Sequence, residues 1–139
     1  FQGAGLSVNA TFTDSSVEFE KQTDASAIVA SQLPGLSKSS YNAILYYDAE
    51  PVSMKLAYNW RTDYLLNASG TAGQPLYRDA YGQLDFSAGY AMSENLQFRL
   101  DALNLTNEQM RSFTQNDKTR IKGVLQSGRT LQLGINYSF

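Results

Sequence analysis

The C-terminal segment, residues 129–139, has a side-chain pattern with a period of two. The apolar set is Leu131, Leu133, Ile135, Tyr137 and Phe139, and the intervening set is Thr130, Gln132, Gly134, Asn136 and Ser138. Because side chains alternate across a β-strand, this segment predicts a strand with one apolar and one polar face. In a soluble domain such an unprotected edge strand invites aggregation, whereas a transmembrane β-barrel needs lipid on one face and water on the other.

Earlier segments show the same alternation and are separated by connections of two lengths. The predicted strands cover residues 4–13, 37–48, 52–62, 82–91 and a segment that starts at 96; long loops cover 14–36, 63–81 and 106–128, and short turns cover 48–51 and 92–95. Loops this long are uncommon in compact soluble domains, but membrane barrels join their strands by long extracellular loops and short periplasmic turns. The predicted fold is therefore all-β: a transmembrane antiparallel β-barrel segment of about six up-and-down strands.

Three local features refine this prediction. Residues 25–32 predict a helical turn inside the first long loop. The alternation slips at residues 103–105, where we predict a β-bulge. Aromatic residues collect near the strand ends and predict two girdles at the two membrane interfaces. They are Phe12, Tyr41, Tyr58 and Trp60 at the loop ends, and Tyr47, Tyr90, Tyr137 and Phe139 at the turn ends.

The composition narrows the chemistry that the chain could perform. There is no cysteine and no histidine, which removes disulfides, thiol nucleophiles, the commonest zinc ligands and the usual general base. Two pairs of carboxylates, at 18 and 20 and at 48 and 50, have no base or nucleophile beside them in the sequence. We therefore expect no enzymatic activity, no metal and no cofactor. The net charge of −2 gives no reason to expect nucleic-acid binding.

The end of the chain resembles the C-terminal targeting signal of bacterial outer-membrane proteins. Gln132, Gly134, Tyr137 and Phe139 supply the polar residue, the glycine and the two spaced hydrophobic or aromatic residues of that signal. The resemblance implies that residues 129–139 form a terminal strand carrying an assembly signal, with the barrel assembly machinery as a partner.

Three interior segments, residues 33–42, 56–65 and 103–108, resemble segments near the end of TonB-dependent outer-membrane receptors. This resemblance covers essentially residues 1–139 and implies the last six strands of a 22-stranded barrel around an N-terminal plug. The family imports siderophores, cobalamin or oligosaccharides with energy from TonB. The implied location is the bacterial outer membrane. The implied partners are outer-membrane lipid and lipopolysaccharide, the plug and other barrel strands that this sequence lacks, and TonB through the absent N-terminal part.

Two groups of residues are candidates for contact with a ligand or a plug. Side chains on the polar faces of the predicted strands would line the lumen; they are Lys55, Asn59, Arg61, Asp85, Arg99 and Asp101. An alternative role for them is a ladder of salt bridges between neighbouring strands. Loop residues could stack on sugar rings or bind a chelate at the extracellular mouth, or they could be ordinary solvated loop residues. They are Tyr64, Tyr77, Arg78, Asp79, Tyr81, Arg111 and Phe113.

Six strands alone would leave two open sheet edges, and each unpaired backbone group in lipid costs several kcal/mol. We therefore expect a partner that completes the sheet. That partner is either the rest of a receptor or the assembly machinery, which would hold this chain as a client. A third interpretation is a soluble β-sandwich adhesin, which the aromatic girdles and the terminal Phe139 disfavour. The sequence does not separate an iron chelate from an oligosaccharide or a vitamin.

Overall fold

The computed structural model describes residues 3–21, 24–70 and 73–139, with side chains described outside residues 17–31. The strands are β1 (Ala4–Phe12), β2 (Val17–Lys21), β3 (Asp24–Ser31), β4 (Ser39–Ala49), β5 (Val52–Arg61), β6 (Tyr64–Asn67), β7 (Leu76–Arg78), β8 (Tyr81–Ser93), β9 (Leu96–Leu103), β10 (Met110–Thr114), β11 (Asp117–Leu125) and β12 (Thr130–Tyr137). Within these ranges, no helix has the length and apolarity that a membrane span requires.

The main sheet has six strands in the order β1-β4-β5-β8-β9-β12, and each neighbouring pair is antiparallel. These strands correspond to the six that the alternating pattern predicts, so the all-β, up-and-down prediction is confirmed. Strands β1 and β12 form the two edges, and neither has a second partner among the described strands. The sheet is therefore open along both edges.

The register gives the main sheet two chemically different faces. One apolar row across all six strands is Leu6, Leu45, Leu56, Phe86, Ala102 and Leu131. The adjacent row on the other face is Gly5, Tyr46, Lys55, Ser87, Asp101 and Gln132. On the apolar face, Leu6 is 69% and Leu133 is 81% exposed. Over the described residues no second layer covers this face, as a β-sandwich would require.

Aromatic rings cluster on the apolar face at the end of the sheet that leads into the long loops. Phe12 meets Tyr41 edge-on at 5.8 Å, and Tyr41 stacks on Trp60 at 5.4 Å between ring centroids. The Tyr58 side chain packs against Gly82. A Cβ atom at Gly82 would lie 2.5 Å from the tyrosine hydroxyl, so this packing requires glycine at that position. The predicted girdle at the loop ends is thus a set of contacting rings on three adjacent strands.

Two local predictions are wrong. The sequence predicts a helical turn over residues 25–32, but Asp24–Ser31 is β3 and pairs with β2. A short isolated helix is marginal in water, whereas strand pairing provides the backbone of this segment with hydrogen bonds. The slip at residues 103–105 is not a β-bulge, because β9 ends at Leu103 and Asn104 adopts a left-handed conformation with φ 55°.

Candidate functional site

The second and third long loops pair with each other and form a second sheet. This loop sheet has four strands in the order β11-β10-β7-β6. The link between the two loops is the pairing of β10 with β7, in which Phe113 lies opposite Tyr77. Strands β10 and β11 are joined through Gln115 and Asn116, both with positive φ, as a tight two-residue hairpin turn requires. The two loops therefore present one common surface.

The loop sheet has a small core of its own. Leu65 is 0% and Phe113 is 2% exposed, and the rings of Phe113 and Tyr77 stack at 5.5 Å between centroids. Buried Thr114 donates its hydroxyl hydrogen to the Pro75 carbonyl at 3.0 Å. The Phe113 ring is covered by its neighbours and has no face open to a ligand. This corrects the prediction for Phe113, which stabilises the loop sheet instead.

An ion cluster joins the β11 strand to the segments on either side of β6 and β7. Lys118 Nζ lies 2.7 Å from Asp79 Oδ1 and 3.8 Å from Asp63 Oδ2. Partial burial raises the pKa of Asp79, but the hydrogen bonds from Lys118 and the Ala80 amide outweigh it, so this pKa lies below its ordinary value. The hydrogen bond to Asp79 raises the pKa of Lys118, against a smaller opposing effect of burial.

We predict that Lys118→Met loosens the β10–β11 hairpin, whose amides should exchange with solvent up to about fivefold faster, because an exposed ion pair contributes at most about 1 kcal/mol. The Asp79 carboxylate stabilises the hairpin fully above its unfolded-state pKa of about 3.9, and this stabilisation is lost only as pH falls through its lower pKa in the folded protein. The Lys118 ammonium stabilises the hairpin fully below its unfolded-state pKa of about 10.4, and this stabilisation is lost as pH rises through its higher pKa in the folded protein. Protection should therefore be constant from about pH 5 to 9.

The matched control for this prediction is Lys122→Met on the same strand, which should leave hydrogen exchange of the hairpin unchanged. Equal acceleration in both variants, or protection that changes between pH 5 and 9, would contradict a specific role for the Lys118 cluster.

Arg61 connects the first loop with the second. Its Nε donates to Ser37 Oγ and its Nη2 to the Gly35 carbonyl, both at 2.8 Å, and its Cζ lies 4.0 Å from the centroid of the Tyr64 ring. The Gly35 amide in turn donates to the Leu65 carbonyl at 2.8 Å. The register places Arg61 on the polar face as predicted, but its guanidinium is engaged by the chain itself.

The other predicted lumen residues share the polar face but lie at different positions along the strands. Asn59 lies near the loop end, Asp85 in the middle, and Lys55, Arg99 and Asp101 toward the turn end. Arg99 Nε lies 2.7 Å from Asp101 Oδ2 on the same strand. This ion pair joins two residues of β9, whereas the predicted ladder of salt bridges would join residues on neighbouring strands.

The predicted loop residues are mostly gathered in or beside the loop sheet. Tyr64 and Arg78 lie opposite each other on β6 and β7, and the Asp79 amide donates to the Arg111 carbonyl at 2.9 Å. Arg78 Nε is buried without a hydrogen-bond partner among the described residues. Tyr81 begins β8 instead, and its hydroxyl donates to Gln83 Oε1 at 2.9 Å. Tyr64, Tyr77, Arg78, Asp79 and Tyr81 are half-buried, and Arg111 is exposed.

The sequence did not reveal the role of the Asn104 side chain, which makes three hydrogen bonds at the loop end. Its Nδ2 donates to the carbonyls of Glu108 at 3.2 Å and Gly128 at 3.0 Å, and its Oδ1 accepts from the Glu108 amide at 2.9 Å. The Asn104 backbone amide donates to Asp85 Oδ1 at 2.9 Å. Asn104 thereby links β8, the end of β9 and the approach to β12. The sequence signals at this position were the slip in the alternation and the family resemblance of residues 103–108, and neither of them indicated these bonds.

The residues of the proposed assembly signal lie on or beside the edge strand β12. Gly134 pairs with Arg99 and Tyr137 with Leu96 on β9, while the opposite edge of β12 has no described partner. The rings of Tyr137 and Phe139 lie 6.3 Å apart, and Phe139 is fully exposed. The segment after the strand is held by the Ser138 amide, which donates to the Asn95 carbonyl at 3.0 Å.

Comparison with known protein families gives a match. The model of the family described as TonB dependent receptor-like, beta-barrel, matches residues 1–105, which include β1 to β9. The terminal strand lies outside the matched range. Comparisons with curated proteins and with solved structures find no match.

Proposed function

Because this chain belongs to the family of TonB-dependent receptor β-barrels, we propose that it forms part of the wall of a transporter for a siderophore, a vitamin or an oligosaccharide. The family acts in transport across the outer membrane. The observation that carries the proposal is the continuous two-faced main sheet, apolar on one side and polar on the other across six strands.

In this proposal the apolar face meets outer-membrane lipid and the polar face lines the lumen. An exposed apolar side chain such as Leu133 is favourably surrounded by lipid. Lys55, Asp85 and Arg99 on the other face need water or a polar partner. Lys55, Asn59, Arg61, Asp85, Arg99 and Asp101 would then face the lumen and a plug. The plug, further barrel strands and the TonB contact would be contributed by receptor segments other than this one.

The loop sheet would form part of the extracellular mouth. Tyr64, Tyr77, Arg78, Asp79, Tyr81 and Arg111 remain the candidates for ligand contact there. Lipopolysaccharide of the outer leaflet would surround this end of the barrel. Because the two loops are paired through β7 and β10, a ligand that orders one of them would also order the other.

The experiment that tests this function is energised uptake. Cells that produce the intact receptor are supplied with labelled ferric siderophores, cobalamin and oligosaccharides, with TonB either functional or deleted. We expect accumulation of one substrate class that requires both the receptor and TonB. If no substrate depends on both, the transport proposal fails.

Removal of Phe139 tests the assembly signal. We propose that Gln132, Gly134, Tyr137 and Phe139 are recognised by the barrel assembly machinery through the open edge of β12. Deleting Phe139 should slow folding in the membrane several-fold, because it removes the last residue of the signal. The stability of the assembled barrel should be unchanged, because the ring is exposed and Tyr137 is its only aromatic contact among the described residues. Pulse-chase conversion to the heat-modifiable form measures this rate.

Ser138→Ala is the control for the Phe139 deletion, since the described bonds of Ser138 are made by its backbone and not by its hydroxyl. Its rate should match that of the unaltered protein. Identical rates for the deletion and the control would remove the signalling role. A chain that stays bound to the machinery without ever transporting a substrate would favour the client interpretation.

A further inference from the structure

We propose that the polar face carries, near its loop end, a binding site for a neutral, hydroxyl-rich ligand of the oligosaccharide class. The site is centred on Asn9, Asn42 and Asn59. This inference rests on the transport function proposed above and names the ligand class for it.

The site is a row of side-chain amides on four neighbouring strands. Asn9 lies opposite Asn42, Asn42 opposite Asn59, and Asn59 opposite Gln83. With strands about 4.8 Å apart, the row extends for roughly 14 Å. It lies in a depression of about 400 Å³ that Ser40, Arg61 and Tyr81 also line. This volume falls within the range of small-molecule sites.

The electrostatics of the depression favour a ligand without charge. Among the described residues that line it there is no carboxylate, and Arg61 is the one cation. The Arg61 guanidinium is already bonded to Ser37 and Gly35 and stacked on Tyr64. These contacts are with neutral groups and leave the guanidinium charged, but a ferric chelate with several negative charges would meet only this one cation among the described lining residues. A neutral ligand avoids the desolvation cost of an unpaired charge.

The hydrogen-bonding capacity of the row is only partly used by the chain. Gln83 accepts from Tyr81 and donates to Asp85, so its amide is engaged on both sides. Asn42 Oδ1, by contrast, is covered but has no partner among the described residues, so the asparagines do not satisfy one another. Leaving such an oxygen unpaired is unfavourable, because it loses its hydration without gaining a hydrogen bond in return. A hydroxyl group both donates and accepts, and would let the three amides reorient and pair.

The spacing of the row argues against an extended polypeptide, such as a plug segment, as its occupant. Groups on one side of an extended chain recur every second residue, or about every 6.6 Å. The strands that carry the amides lie about 4.8 Å apart. The hydrogen-bonding groups of a polypeptide lying along the row would therefore not match the positions of successive amides. A sugar, in contrast, presents hydroxyl groups around its whole rim.

Binding to the intact purified receptor tests the site. The probes are neutral malto-, xylo- and manno-oligosaccharides, with ferric citrate as the anionic probe. We expect a neutral oligosaccharide to bind, and the double variant Asn42→Leu, Asn59→Leu to weaken its affinity at least tenfold. Exposed Asn59→Leu alone should weaken it severalfold, which keeps the test valid if the double variant fails to assemble. Asn136→Leu, on the polar face at the turn end, is the control and should bind normally.

Three results would overturn the inference. The first is a receptor that binds ferric citrate and no neutral oligosaccharide. The second is an oligosaccharide affinity that the asparagine variants leave unchanged. The third is a plug that becomes sensitive to protease in those variants while their oligosaccharide affinity stays the same. The last result would identify the row as a contact for polypeptide. TonB-dependent uptake of a chelate without oligosaccharide binding would refute this inference and leave the proposed transport function standing.

Discussion

Replacing Leu56 by arginine should abolish accumulation of the receptor in the outer membrane. Leu56 lies on β5 near the middle of the apolar face, between Leu45 on β4 and Phe86 on β8. If this face meets lipid, the substitution places a guanidinium near the centre of the bilayer. The cost there is about 2–4 kcal/mol, and a chain of marginal stability would be degraded before it inserts.

The neighbouring substitution Ala57→Arg provides the matched control. Ala57 lies at nearly the same depth but on the polar face, directly opposite Asp85, so an arginine there gains a cross-strand partner of opposite charge. We expect normal amounts of heat-modifiable barrel for Ala57→Arg and none for Leu56→Arg in isolated outer membranes. The reverse ranking would mean that the faces are assigned the wrong way round.

The strands of the main sheet were predictable because, over the described residues, no other layer of this chain covers either face of the sheet. The alternation of apolar and polar residues is then undiluted, as in β5, where Leu56 and Tyr58 alternate with Lys55 and Asn59. A buried strand would read as a continuous apolar run instead. The same reasoning identified the polar-face residues, since odd-numbered and even-numbered positions of a strand lie on opposite faces.

The loop sheet could not be predicted in the same way. Strand β7 has three residues and β6 has four, which is too short for a period to show. Its decisive pairing joins Tyr77 to Phe113 across a long stretch of sequence. The sequence therefore predicts a ligand surface for Phe113, whereas the structure places it in a core. Composition alone cannot distinguish these roles, because an aromatic residue is suited to both.

The amide row depends on register, which alternation leaves undetermined. Shifting one strand by two residues keeps every side chain on its face but changes all of its neighbours. The sequence therefore places Asn9, Asn42 and Asn59 on one face without showing that they lie side by side. Only the pairing of β1, β4 and β5 aligns them.

Asn104→Ala should lower the free energy of unfolding of the assembled barrel by about 2–4 kcal/mol, because three hydrogen bonds of a side chain that is only 3% exposed are lost. The amide of Glu108 and the carbonyl of Gly128 would then remain buried or poorly paired at the junction with β12. The temperature at which the barrel unfolds in detergent measures the effect. We also expect slower assembly, since Asn104 fixes the approach to the terminal strand.

Two further variants separate the side-chain bonds of Asn104 from its backbone conformation. Asn107 has the same φ of 55°, so Asn107→Ala carries the same penalty for placing alanine in a left-handed conformation, without the Asn104 bonds. Asn104→Gly removes that penalty but also removes the bonds. We expect Asn104→Gly to be almost as destabilising as Asn104→Ala, and Asn107→Ala to be mild. If Asn104→Gly were as stable as the unaltered protein, the residue would serve only to turn the chain.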